Sequence, residues 1–163
     1  MLQNNTTLAM DESAWTSWFY RGLRPPTESA VFENLSRCVF QAGLNWTTIA
    51  DKWPEIKIAF HEFNITYIAG YGADDIGRLM VTPGVIHNRN KILAIIHNAR
   101  EFERFKQENG SFMAWLDEQD KSDNYRGVIR RMKSRFKFFG PTVATVFLYS
   151  IGENISFENS SFP

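Results

Sequence analysis

Gln41 and Trp46 stand on either side of a glycine in the stretch FQAGLNW, residues 40–46. A glutamine side chain both donates and accepts hydrogen bonds. An indole offers a flat face for stacking or for a cation. With Gly43 between them to turn the chain, the pair specifies one wall of a pocket for a flat heterocycle. The same residues would equally make an ordinary helix corner with Trp46 in the core. Cys38 lies one turn before Gln41, where a small apolar residue also fits a buried stripe.

A second group of residues suits phosphate. RGVIRRMKSRFKFFGPTVATVF (126–147) holds Arg126, Arg130, Arg131, Lys133, Arg135 and Lys137 with no acid among them, followed by Gly140-Pro141-Thr142. A basic helix, a tight glycine turn and a second helix form the layout of a helix-hairpin-helix. Backbone N–H groups at such a turn bind phosphate oxygens, and the surrounding cations add sequence-independent attraction. A solvated basic face before a helix corner is the plainer alternative. In VTPGVIHNRNKILAIIHNAR (81–100), His87, Asn88, Arg89 and Lys91 crowd a helix N-terminus. Cations there oppose the helix dipole, so a phosphate or an acid should compensate them unless they point into solvent.

The elements that must position these groups read as helices. Thr27 caps a helix whose stripe is Val31, Leu35, Cys38, Val39 and Ala42, and Gly43 closes it. Asn45 caps the next helix, through Trp53. Pro54 suits the first turn of another, 54–62. Short helices follow near 65–69 and 74–80. Pro83-Gly84 breaks the chain before a long helix at about 88–108, striped by Ile92, Ile95, Ile96, Ala99, Phe102 and Phe105. Ser111 caps a short helix to Asp117, 117–124 is a polar loop, 125–135 is the basic helix, and 142–151 is the last. Period-two alternation is almost lacking, so the fold class is all-α, with residues 1–163 as one domain or two lobes sharing a pocket.

The totals narrow the function. The chain has 163 residues, is 44% hydrophobic, and carries 14 Phe, 5 Trp and 5 Tyr, enough for a large core. Equal numbers of basic and acidic groups, 18 each, exclude a polybasic chain but not a local basic patch. One cysteine excludes an internal disulfide and fits a reducing cytoplasm. No signal peptide is evident, and no apolar run is long enough to span a bilayer. His61, His87 and His97 lie in separate segments away from Cys38, so no metal site is expected from spacing. Phosphate-cradling and nucleophile-elbow glycine motifs are lacking.

Three stretches, FQAGLNW (40–46), PGVIHNRNKILAIIHNAR (83–100) and RFKFFGPT (135–142), resemble in order and spacing the 3-methyladenine DNA glycosylase I family. PPTESAVFENL, FHEFN and NGSF add to the match, which covers roughly residues 15–152. The resemblance implies a helix-hairpin-helix glycosylase fold. It implies base-excision repair, with an alkylated base such as 3-methyladenine flipped from double-stranded DNA and its N-glycosidic bond hydrolysed. Gln41, Trp46, Trp15 and Trp18 would form the base pocket. Arg89, Lys91, Arg130, Arg131, Arg135, Lys137, Gly140 and Thr142 would meet the DNA. The family's pocket glutamate falls at Cys38, which is therefore the candidate catalytic position. Ser17 replaces a zinc-binding histidine, and IGENISFENSSFP (151–163) holds no ligand, so the family's zinc is expected to be absent. The expectation is a monomeric cytoplasmic DNA glycosylase without membrane contact. The alternative is an inactive module of the same fold that binds DNA or a flipped base.

Overall fold

Helix α1, Glu28–Gln41, is buried along almost its whole length. Thr27 starts it, its hydroxyl accepting from the Ala30 N–H at 3.1 Å. The stripe read from the sequence understates its burial: every residue from Ala30 to Gln41 is buried, the polar Glu33, Asn34, Ser36, Arg37 and Gln41 included. A helix buried all round needs partners for its polar groups, and those partners organise the site below. The computed structural model describes residues 22–157, so Trp15, Ser17 and Trp18 lie outside the described residues.

Asn45 caps α2, Trp46–Ala59, by accepting from the Thr48 N–H. Here the observed helix departs from expectation, because Pro54 does not begin a new helix but sits inside α2. It is exposed. On that side water can satisfy the carbonyl that loses its proline-blocked donor, while Ile49, Trp53 and Ile56 keep the opposite face in the core.

A 3-10 turn at His61–Phe63 leads to α3 (Ile65–Ala69) and α4 (Ala73–Val81). The long helix α5, Arg89–Asn109, then lies against α1 and α3. Its buried residues include the stripe read from the sequence. Helix α6, Phe112–Asp117, is started twice. Ser111 caps Ala114, and the carboxylate of Glu28, at the far end of α1, accepts from the Phe112 N–H at 2.6 Å. Aromatic rings fill the space between: Phe102, Phe105, Phe112, Phe136 and Phe147 form one chain of contacts.

Helix α7, Arg126–Lys133, follows three consecutive left-handed residues, Asp123, Asn124 and Tyr125. The C-terminal segment clasps that turn. Asn124 and Ser156 exchange two hydrogen bonds, and the Tyr125 hydroxyl meets Glu153 and the Asn154 N–H. Helix α8, Pro141–Ser150, returns to α1. There Asn34 donates to the Ser150 hydroxyl at 3.2 Å, both groups being buried. The described residues contain eight α-helices and no strand. None of the helices is long and apolar enough to cross a membrane.

Candidate functional site

The corner after α1 closes as its residues dictate. Gly43 takes φ +76°, and the Leu44 N–H reaches back to the Gln41 carbonyl at 2.9 Å. Trp46 therefore becomes the first residue of α2 and lies beside the end of α1. Cys38, Gln41, Ala42, Gly43, Leu44 and Trp46 line one side of a cavity of ≈ 330 Å³. Thr142, Val143 and Val146 of α8 line the other side. The volume falls at the lower end of small-ligand sites. The walls are mostly apolar, with polar groups from Gln41 and Thr142, which is the composition expected where a flat heterocycle is held.

The wall also has a polar understructure that the sequence reading missed. Arg37 is 2% exposed, and its Nε donates to Gln41 Oε1 at 2.7 Å. Its guanidinium lies over the Trp53 ring. Burial pushes its pKa down to about 9, which still leaves it charged at neutral pH. One turn earlier, Glu33 accepts from the Trp53 indole N–H at 2.9 Å and pairs with Lys57 at 3.2 Å. The signal was present as Glu33, Arg37 and Gln41 at i, i+4, i+8, one ladder along a helix that otherwise reads as apolar. Cys38 is 4% exposed, and burial raises its thiol pKa well above the ordinary value, so it is a neutral thiol and not a nucleophilic thiolate.

Lys91 corrects an expectation. Its ammonium does not face a phosphate; it is buried and donates to the carbonyls of Phe40 at 3.0 Å and Ala42 at 2.6 Å. Those are carbonyls at the C-terminus of α1, where a cation is favoured. The compensating partner foreseen for this crowded N-terminus is thus the opposite end of another helix. Burial lowers the Lys91 pKa. Arg89 at the start of α5 is exposed, as a DNA contact would require.

The hairpin is held to α5 by two residues that no sequence pattern singled out. Asn98 is fully buried; its oxygen accepts from the Lys137 N–H at 2.8 Å and its amide donates to the Lys137 carbonyl at 3.2 Å. His97 meets the Arg135 carbonyl at 2.7 Å. The Lys137 side chain is exposed, as are Arg130 and Arg131 on α7. Gly140 is the N-cap of α8 and Thr142 is exposed in the first turn, so this end of α8 carries no side-chain cap. Arg135 is the second correction. It donates to Glu101 at 3.0 Å and Glu108 at 3.2 Å and lies 3.6 Å over the Phe105 ring. Its charge is paired with α5, unlike the exposed Arg130, Arg131 and Lys137.

Among the described residues no three His, Cys, Asp or Glu side chains converge as a metal ion would need.

The family model for methyladenine glycosylase matches residues 17–133. DNA-3-methyladenine glycosylase 1 of Escherichia coli K12 is 31% identical over 147 residues, covering 78% of this chain and 79% of the relative. The DNA-3-methyladenine glycosylase of Haemophilus influenzae is 31% identical over 140 residues, covering 75% and 76%. The 3-methyladenine DNA glycosylase I of Staphylococcus aureus superposes with a TM-score of 0.75 at 27% identity, over 88% of this chain and 91% of that one. A tyrosine-to-phenylalanine variant of 3-methyladenine DNA glycosylase I, in complex with 3-methyladenine, superposes with a TM-score of 0.74 at 27% identity, over 85% and 86%. With the helical architecture and sequence similarity shared across these lengths, the chain belongs to the methyladenine glycosylase family.

Proposed function

We propose that this chain is a DNA glycosylase that excises N3-alkylated adenine from double-stranded DNA by hydrolysing the N-glycosidic bond. The observation that carries the reading is the shared wall: α8, whose N-terminal turn has no side-chain cap, lines the cavity with Thr142, Val143 and Val146, opposite Trp46 and Gln41. A nucleotide whose phosphate rests at the hairpin would have its flipped base beside that cavity.

The chemistry asks little of the protein. N3-alkylated adenine is cationic while attached to deoxyribose. When the C1′–N bond breaks, the bonding pair passes to the base and leaves it neutral. Water supplies the oxygen to C1′ and releases a proton to solvent. The Trp46 face favours a cationic base by about 0.5–2 kcal/mol. The exposed Arg89, Arg130, Arg131 and Lys137 hold the backbone. Cys38, neutral and buried, neither attacks nor abstracts a proton in this scheme. We read the protein as a cytoplasmic monomer that needs no metal ion and has no membrane partner.

One observation favours a second reading. Cys38 occupies the position of the family's glutamate, so the pocket could hold a flipped base without cutting it. A release assay separates the two. Methylated duplex DNA is incubated with purified protein, and free alkylated bases are resolved by chromatography. Release of 3-methyladenine above the spontaneous rate supports the glycosylase. Failure of release, while Trp46→Ala still weakens binding to lesion-bearing duplex, leaves the binding module.

A further inference from the structure

The run Phe136-Lys137-Phe138-Phe139 before the hairpin turn places its rings in two environments. Phe136 and Phe139 are buried and join the core chain of rings. Phe138 is 44% exposed, and among the described residues no other ring packs on it. Its backbone is left-handed, with φ +54°, a region that a bulky side chain occupies only where its surroundings impose it. Here they do. Fully buried Asn98 holds both the N–H and the carbonyl of Lys137, and His97 donates to the Arg135 carbonyl. The chain is clamped to α5 just before Phe138 and anchored in the core by Phe139 just after it, so the exposed ring stands on a fixed support.

With Ala94 and with Leu93, itself 40% exposed, Phe138 lines an open hollow of ≈ 620 Å³. Asn90, His97 and Lys137 complete the lining, and none of these residues is acidic. Asn90 and Lys137 are exposed. The hollow thus offers an aromatic face for a flat ring, a carboxamide that both donates and accepts, and a cation for a phosphate. It shares no lining residue with the cavity beside Trp46. Through Lys137 and Phe138 it is continuous with the hairpin proposed to bind DNA.

We propose that this hollow is a second nucleobase subsite: it stacks one unpaired base of the bound DNA on Phe138 while Lys137 meets the phosphate of that nucleotide. The occupant is an unpaired nucleotide because a base inside a duplex has both faces covered by its neighbours. Only an unstacked base has a face to give to Phe138. Stacking tolerates any base, and a carboxamide suits donor and acceptor edges alike, so the subsite does not choose among bases. The inference rests on the proposed function only for the hairpin facing DNA. It is independent of base excision and of the charge on the excised base.

The test measures the affinity of the full chain for two duplexes of one sequence, one intact and one with a single unpaired nucleotide. The parent is expected to bind the bulged duplex about tenfold tighter, the scale of one base–aromatic stack, whichever base is unpaired. Phe138→Leu keeps an apolar side chain without a π-face and should bring the two affinities together. Phe138→Tyr should keep the preference. With 5-iodouracil at the unpaired position, the parent should photocrosslink at Phe138, a readout that needs no variant to fold. Equal affinity of the parent for both duplexes, or a preference that survives Phe138→Leu, overturns the proposal. So does a preference that Trp46→Ala abolishes with the crosslink at Trp46, since the unpaired base then sits in the other cavity. A dimer in light scattering that Phe138→Leu dissolves also overturns it, by making the patch a contact between copies. Binding of intact duplex that depends on Arg130 and Arg131, without a preference for the bulge, removes the subsite and leaves the hairpin reading standing. A folded chain that binds neither duplex removes both.

Discussion

At position 38 one side chain decides what the pocket can attract. Cys38 and Gln41 are a turn apart and both line the cavity, so a glutamate at 38 would place a carboxylate on the wall that now has none. Cys38→Glu should strengthen binding or excision of 3-methyladenine by about ten- to a hundredfold, the worth of a charge-assisted hydrogen bond at about 1.5–3 kcal/mol. The same substitution should lower stability when the pocket is empty, because a buried carboxylate then has no ligand to meet. Lesion affinity, excision rate and urea unfolding of parent and variant measure both effects; no gain in either functional quantity counts against the pocket assignment. Trp46, Gln41 and Cys38 were legible in the sequence because turn chemistry and helical spacing are local. Arg37 was not, because an arginine in an apolar helix ordinarily reads as a solvent-facing interruption. Only the packed structure shows that α1 is buried on every side.

Between elements, Lys91 ties the start of α5 to the end of α1, and its loss should be felt as geometry at the corner. Lys91→Met removes two donors from buried carbonyls and should destabilise the fold by about 2–3 kcal/mol in chemical denaturation. A pH effect accompanies it. Burial disfavours the charged ammonium, so its folded-state pKa lies below the ordinary 10.5. Between those two values the unfolded chain binds more protons than the folded one, and stability gains with rising pH. The stability difference between parent and Lys91→Met should therefore widen as pH rises toward 10.5. On α7 and the hairpin the cations sort by neighbour. Reversing the charge of Arg130, Arg131 or Lys137 should weaken binding to every duplex sequence and flatten the salt slope by about one unit for each phosphate no longer neutralised. Arg135→Ala should instead lower the melting temperature with little change in that slope, because its partners are Glu101, Glu108 and Phe105. The basic run itself could not make this distinction, since the acids that claim Arg135 lie about thirty residues away on another helix.

Across the whole molecule, the pocket and the hairpin proposed to bind DNA are one construction, since α8 serves both and is tied to α1 through Asn34 and Ser150. The sequence presented these as separate motifs, and the break at Pro54 as a boundary; long-range packing joined the first pair and bridged the second. Elemental analysis of the purified protein should find well below one zinc per chain, as the residues at the family's ligand positions require; a stoichiometric value would contradict it. The clasp on the turn before α7 has a further consequence. Asn154 and Ser156 donate their amide protons to Tyr125 and Asn124, so those two protons trade with solvent when the clasp opens. Asn124→Ala should speed that trade. Docking of α7 on a duplex should slow it, although none of the clasp's hydrogen bonds involves Arg130, Arg131 or Lys137. Deuterium uptake at Asn154 and Ser156 therefore becomes a clock for DNA occupancy: unchanged uptake at saturating duplex would mean that α7 engages DNA without restraining the turn behind it.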